Sequence, residues 1–330
     1  MRYQQMTEIK PPHSSICLGT ANFGSQTPVD LAFALLDRFV ELGGNFLDTA
    51  HIYGAWDKNG VNGGVGNSER VIGQWMRARN CRDGVVVGTK GGHPDFETGE
   101  SGLTRETVLR HLEESLDHLQ TDHVDIYWLH RDDRNIPVAE ILEWLREPVE
   151  AGIIRALGCS HWRADRLAEA VAIAEKKGLP RVQASQIAWS LAQVARTITG
   201  GKYGEQLAMD EATWRFHRET GLPLAAYNSQ AAGFFAAKYD GLDMSAADFP
   251  KPMLARKYAG ETNKRRREQA RQIAKEKGRS ANQIAVAWLL AQPFPVTAIV
   301  GPRDIPQLED SMPAADIALS PEEAHTLGAF

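Results

Sequence analysis

The sequence predicts a single (β/α)8 barrel, the TIM-barrel architecture of the α/β class, over residues 1–330 with loop insertions on its C-terminal face. Eight β-rich runs recur along the chain, and nearly all are followed by a segment with apolar residues at helical spacing. A βα unit repeated eight times closes most naturally as a barrel. Four of the runs also stop at a polar residue, ending in Asp48, Lys90, His130 and Ser160. In a closed parallel sheet all strand ends of one polarity meet on one face, so these side chains converge there. The competing doubly wound sheet carries a Gly-rich dinucleotide fingerprint. The nearest candidate, Gly64-Val65-Gly66-Asn67-Ser68-Glu69, lacks the third glycine and follows no strand.

In order, a polar lead-in precedes a short strand, Ile16 to Thr20. Thr27-Pro28 offers an N-cap and first-turn proline for a helix with Leu31, Leu35, Phe39 and Leu42 on one face, stopped by Gly43-Gly44. Strand 45–48 runs into Thr49-Ala50-His51-Ile52-Tyr53-Gly54. The glycine-rich loop from Gly54 to Asn67 is longer than most connections in α/β units, and Ser68 begins a helix through Val71, Ile72 and Trp75. Strand 85–89 leads to a loop with Gly91, Gly92, Gly99 and Gly102, and then to helix 104–119. Strand 124–129 precedes helix 138–151, and strand 153–158 precedes helix 163–177. Strand 182–187 is separated by a loop with Gly200, Gly201 and Gly204 from helix 205–220. Strand 223–227 ends at Tyr227 and opens a long irregular segment to about residue 262. Helices 264–277 and 281–291, strand 297–300, a short helix at 304–311 and a last one from Pro321 complete the chain.

Composition bounds the function. Hydrophobic residues make up 43% and charged residues 24%, ordinary for a globular protein with a sizeable core. A net charge of −5 gives no reason to expect nucleic acid or an anionic membrane as partner. The three cysteines, Cys17, Cys81 and Cys159, are far apart and lack C-x-x-C spacing, which argues against a disulfide framework or structural zinc. Residues 1–10 are too polar for a signal peptide, and no apolar run approaches membrane-spanning length, so the expected location is the cytoplasm. Walker A, H-E-x-x-H and G-x-S-x-G patterns are absent.

The four residues Asp48, Tyr53, Lys90 and His130 form a proton-transfer set if they meet. Each alone has a plainer explanation: a turn carboxylate, a packing ring, a solvated lysine, a paired loop histidine. Their joint occurrence at successive strand ends decides for chemistry. An isolated phenol, with a pKa of about 10, is a poor acid at neutral pH, and a nearby ammonium is expected to lower it. Asp48 would hold Lys90 charged and placed, and His130 would orient a substrate oxygen beside Tyr53. That suits protonation of a carbonyl oxygen while hydride reaches its carbon. Protein side chains cannot supply hydride, so a nicotinamide cofactor is implied.

These residues give the chain a specific resemblance. Asp48-Thr49-Ala50 with Tyr53-Gly54, Glu69 to Gly73, Thr89-Lys90 and Leu129-His130 stand as in the aldo-keto reductases, over nearly the whole length. The resemblance implies a tetrad with Tyr53 as general acid, Asp48 and Lys90 tuning it, and His130 orienting the carbonyl. It places Thr20 among the cofactor contacts. It matches Gly158-Cys159-Ser160-His161 to a segment gripping the nicotinamide carboxamide, with His161 where the family has asparagine. Gln186 would complete that grip and Tyr227 would stack on the nicotinamide. Asn228, Ser229, Gln230 and Gly233 fall in the pyrophosphate-wrapping loop, where Ser229 replaces a common proline. Gly301, Arg303, Gln307 and Asp310 fall in the adenosine-phosphate segment, where Asp310-Ser311 replaces the frequent Glu-Asn. Arg303 favours NADPH over NADH, because a guanidinium there can hold a 2′-phosphate.

The expected partner is therefore a small-molecule carbonyl. Loop 54–67 and the cluster Arg131-Asp132-Asp133 at the pocket mouth suit a hydroxyl-rich, sugar-derived substrate. Trp56, Trp128, Trp162 and Trp189 fall at or beside strand ends; Trp56 and Trp162 are the candidates for pocket contact. The basic run Lys264-Arg265-Arg266-Arg267 reads as the solvated start of a helix. Two other functions compete: a non-enzymatic nicotinamide-sensing regulatory subunit, which would bind cofactor without turnover, and an unrelated barrel enzyme such as a phosphate-sugar isomerase, which would need no nicotinamide.

Overall fold

A computed structural model describes residues 1–5, 9–57, 64–95, 98–194, 205–239 and 250–328, with the Met253 side chain left out. The expected glycine loop at Gly200, Gly201 and Gly204, the middle of the 54–67 loop and residues 240–249 lie outside the described residues. Eight parallel strands close a barrel: β3 (Ile16–Gly19), β4 (Phe46–Asp48), β5 (Val86–Gly91), β6 (Val124–Leu129), β7 (Ile154–Ser160), β8 (Val182–Ala188), β9 (Leu224–Tyr227) and β10 (Val296–Val300), the last pairing with β3. A small antiparallel pair that the sequence did not announce, β1 (Tyr3–Gln4) and β2 (His13–Ser14), precedes it. Two-residue strands carry no readable alternation.

The helices follow the expected order: α1 (Val29–Glu41), α2 (Asn67–Arg79), α3 (Arg105–Leu119), α4 (Val138–Trp144), α5 (Arg146–Glu150), α6 (Ala164–Lys177), α7 (Glu211–Thr220), α8 (Pro252–Tyr258), α9 (Glu261–Lys277), α10 (Ala281–Leu290), α11 (Ile305–Ser311) and α12 (Pro321–Leu327). Several boundaries differ, each for a local reason. Helix α1 has Pro28 at its N-cap and no side-chain cap bond, so Thr27 does not cap it. The helix expected over 138–151 breaks at Leu145, three residues before Pro148, whose ring cannot continue the preceding turn. The helix expected at 205–220 begins only at Glu211, because the Asp210 side chain accepts the Thr213 amide as N-cap and Ala208 bridges to Ala188 at the end of β8. Helix α8 lies inside the stretch expected to be irregular.

Period-two alternation on the strands explains where the site lies. Inward-facing Phe46, Val86, Ile126, Trp128, Ala156, Ala184 and Ala225 fill the barrel. Trp128 is fully buried there, not at the rim, and a side chain at Gly158 would collide with its ring. Continuing the alternation by one or two steps reaches Asp48, Lys90, His130, Ser160, Gln186 and Tyr227. The outward faces pack against the helices in a second cluster that includes Leu18, Leu47, Val87, Tyr127 and Leu157.

Candidate active site

At the C-terminal end of the barrel the buried Lys90 ammonium donates to Asp48 Oδ2 at 2.7 Å, to the Thr49 carbonyl at 2.6 Å and to the Tyr53 hydroxyl at 3.3 Å. Burying a charge is strongly unfavourable unless it is paired and hydrogen-bonded, and these three acceptors supply that. Burial works against the Lys90 charge, but Asp48 and Tyr53 outweigh it and its pKa ends above the ordinary value. Tyr53 differs from expectation. Burial raises its pKa more than the Lys90 charge lowers it, so the phenol keeps its proton at neutral pH.

His130 stands across from the phenol, its ring edge-on to Tyr53 with centroids 6.2 Å apart. Burial first, and the charge of Arg131 second, hold it neutral. Its Nδ1 is enclosed without a partner, which leaves Nε2 as the ring nitrogen meeting the cleft. Asp48, Tyr53, Lys90 and His130 thus lie together at one end of the barrel.

From this point a cleft of ≈ 1260 Å³ runs past His161 and Tyr227 to Gln230, Arg303 and Gln307. His161 Nδ1 accepts the Leu207 amide at 2.9 Å, so the neutral ring carries its proton on Nε2. Burial keeps the ring neutral. The tautomer needed for a donor in place of asparagine is therefore built in. Tyr227 lies edge-on to His161, centroids 5.4 Å apart. Ser160 Oγ donates to the Gln186 carbonyl and Thr20 Oγ1 to the Asp48 carbonyl, so both brace strand ends.

Gln186 lines the cleft and is anchored on one side. Its Nε2 donates to Asp48 Oδ1 at 2.9 Å, leaving only Oε1 for anything in the cleft. In the following loop Asn228 donates to the Tyr258 hydroxyl, and Ser229 Oγ donates to the Ile299 carbonyl, an anchor that proline could not make. Asn228, Ala231, Ala232 and Gly233 all have positive φ, and a Cβ at Gly233 or Gly301 would meet open space. Gln230 Nε2 donates to Ser311 and Asn282, and Asn282 in turn donates to Asp310. Beside Arg303, the Asp304 carboxylate is engaged by Gln307. Both Asp304 oxygens accept from Gln307, whose Oε1 accepts the Arg303 amide.

These features fit a nicotinamide dinucleotide: a neutral donor and an aromatic ring at the tetrad, open backbone in the middle, and exposed cations such as Arg303, Lys275 and Arg279 at the far end. Trp56 lines the cleft, 42% exposed, whereas Trp162 is buried beneath the Arg166 guanidinium. Trp189 packs on Trp288 and Phe294. Of the cluster Arg131-Asp132-Asp133 only Arg131 lines the cleft, joined by His93, which sequence reasoning missed. Asp132 accepts from Arg166 instead, and Asp133 accepts from Asn135. His93 follows Gly91-Gly92 directly after the Lys90 strand, the one signal that could have found it. Among the described residues no group of histidine, cysteine and carboxylate side chains suits a metal ion, and no helix is long and apolar enough to cross a membrane.

Comparison with known proteins points the same way. The model of the Aldo/keto reductase family matches residues 15–330. An uncharacterized oxidoreductase, YrpG of Bacillus subtilis, is 32% identical over 94% of this chain and 89% of its own length. The norsolorinic acid reductase stcV of Emericella nidulans is 30% identical over 95% of this chain and 77% of its own. The aldo-keto reductase yakc [NADP(+)] of Schizosaccharomyces pombe is 28% identical over 92% and 83%.

Proposed function

The chain belongs to the aldo/keto reductase family and is an oxidoreductase on that ground, and we propose that it reduces an aldehyde or ketone to the alcohol with NADPH, Tyr53 acting as general acid. The observation that carries this reading is the Lys90 ammonium set between Asp48 Oδ2 and the Tyr53 hydroxyl. A phenol that stays protonated has a proton to give, and the ammonium beside it stabilises the phenolate that forms when the proton leaves. Neutral His130 presents Nε2 to the carbonyl oxygen and orients it toward the phenol. Bound in the cleft, the nicotinamide supplies the hydride. Ser160 braces the strand end next to His161, whose Nε2–H would serve as the donor for the carboxamide, and Tyr227 would border the ring. Residues Gln230 to Gly233 and Arg303 would hold the phosphates.

NADPH is favoured because Asp304 is taken up by Gln307 and leaves the Arg303 charge available to a 2′-phosphate. The NADP(+) in the name of the fission-yeast relative agrees with this. For the substrate we favour a carbonyl with polar substituents, sugar-derived hydroxyls included, because His93 and Arg131 line the reacting end of the cleft. The test is a cofactor-oxidation screen with NADPH and NADH against aromatic aldehydes, ketoses and oxidised sugars. Turnover with NADPH supports the reading. Tight cofactor binding without turnover on any carbonyl would move the chain to the regulatory-subunit alternative.

A further inference from the structure

Arg131 follows His130 in the chain, yet its side chain is 8% exposed and lines the same end of the cleft. Its placement is fixed from several sides. Nη1 donates to the His130 carbonyl at 2.7 Å, and Nη2 lies 3.5 Å from His93 Nε2. His93 is itself oriented: its Nδ1 is 2.6 Å from the Pro94 carbonyl, which only accepts, so Nδ1 carries the proton and Nε2 is the acceptor facing Arg131. The His93 ring also sits edge-on to His130, centroids 4.8 Å apart. Below, Trp162 Nε1 donates to the Arg131 carbonyl. The two carboxylates next in sequence are turned to Arg166 and Asn135. After burial, the Arg131 charge is the largest influence holding both His130 and His161 neutral, and burial lowers its own pKa against the opposing effects of Tyr227 and Tyr53. Arg131 and His93 thus line the end of the cleft that also holds Tyr53 and His130.

We infer that Arg131 is a substrate subsite for a carboxylate, and that the preferred substrates are aldehydes or ketones carrying a carboxylate close to the reacting carbonyl, with His93 positioning the guanidinium. The inference rests on the carbonyl-reduction reading for the reacting end of the substrate. The planar fork of arginine matches a carboxylate with two parallel hydrogen bonds, and a desolvated site strengthens them. A neutral carbonyl gains no such contact. The subsite also selects by geometry: the carboxylate must reach Arg131 while the carbonyl oxygen reaches Tyr53 and His130.

The test uses 2-, 3- and 4-carboxybenzaldehyde, each against its methyl ester, with wild type, Arg131→Met and His93→Phe. Wild type is expected to favour the acid over the ester for at least one isomer in kcat/KM. In Arg131→Met that acid-to-ester ratio falls about tenfold or more, the loss expected of a hydrogen bond to a charged group, and most of the change lies in KM. His93→Phe lowers the ratio less, again through KM. Calorimetric binding of the same acids and esters gives a second readout independent of turnover. If the acids bind more tightly than the esters yet neither is reduced, the reductase reading fails and the subsite stands. If wild type binds and turns over no acid better than its ester, or if Arg131→Met keeps the wild-type ratio, the subsite is wrong whatever the reductase activity. Should Arg131→Met fail to fold, the wild-type ratios alone decide.

Discussion

Gln186 reaches across the barrel from β8 to the end of β4, where its Nε2 donates to Asp48 Oδ1 at 2.9 Å, with both side chains buried. One oxygen of Asp48 thus answers Lys90 and the other answers Gln186. The carboxylate that holds the Lys90 ammonium is itself held.

Replacing Gln186 with leucine therefore removes a hydrogen bond to a buried charge. The expected loss is about 1.5–3 kcal/mol of unfolding free energy, measured by urea titration, with a fall in kcat. Wild-type stability in the variant would show that Asp48 needs no second partner.

His161 joins two tasks, accepting the Leu207 amide on Nδ1 and presenting a donor on Nε2. His161→Ala leaves a buried amide unsatisfied, costing about 1–3 kcal/mol of stability. Loss of one neutral donor should also raise the cofactor dissociation constant several-fold, since such a bond is worth about 0.5–1.5 kcal/mol. His161→Asn should recover most of the affinity. Equal cofactor affinity in wild type and the alanine variant, by fluorescence titration, would show that Nε2 serves something else.

Arg303 is the proposed selector between NADPH and NADH. Titrated side by side, NADPH should bind wild type more tightly than NADH, and Arg303→Ala should lose most of that lead. A wild-type preference for NADH, or an alanine variant that keeps its preference for NADPH, would remove Arg303 as the selector.

Buried histidines set the acid limit of the fold. Burial holds His13, His93 and His217 to about 4 and His111 to about 3. His217 shows why: Ser185 and the Leu222 carbonyl occupy its two nitrogens in the neutral form. Each has a folded pKa below the unfolded value of about 6.5, so between those values the unfolded chain binds more protons. Their contribution is full above about pH 6.5 and is lost as the pH falls toward about 4. Each such group can steepen the decline by up to about 1.4 kcal/mol per pH unit. Urea unfolding at about pH 7 and about pH 5 should show a drop of several kcal/mol, and a level free energy would contradict the buried neutral state.

The barrel was legible in the sequence because its signals are periodic. Strand alternation carries Phe46 to Asp48, Val86 to Lys90 and Ile126 to His130, and those steps place three of the four tetrad residues without any tertiary information, with Tyr53 following in the turn after Asp48. What could not be read depends on contacts distant in sequence. Nothing local shows that Gln186 Nε2 reaches Asp48 on another strand. The sign of the Tyr53 shift is set by burial, which exceeds the effect of the lysine that local chemistry emphasised. Likewise the basic run at the start of α9 looked solvated, yet Arg266 is buried with Nη1 on the Leu191 carbonyl, and Arg267 lies over the Phe234 ring. Trp128 looked like a rim residue until Gly88 and Gly158 on its neighbouring strands showed the space left for it.

The central claim is that Tyr53 delivers the proton from beside Lys90. The most direct measurement compares the rate of NADPH oxidation by wild type and Tyr53→Phe on the best substrate of the carbonyl screen, with cofactor affinity and unfolding free energy measured on the same preparations. General acid catalysis contributes roughly 10²–10⁴-fold, so the rate should fall by at least that order while NADPH binding stays near the wild-type value. A phenylalanine variant that folds, binds NADPH and keeps most of its turnover would contradict the account.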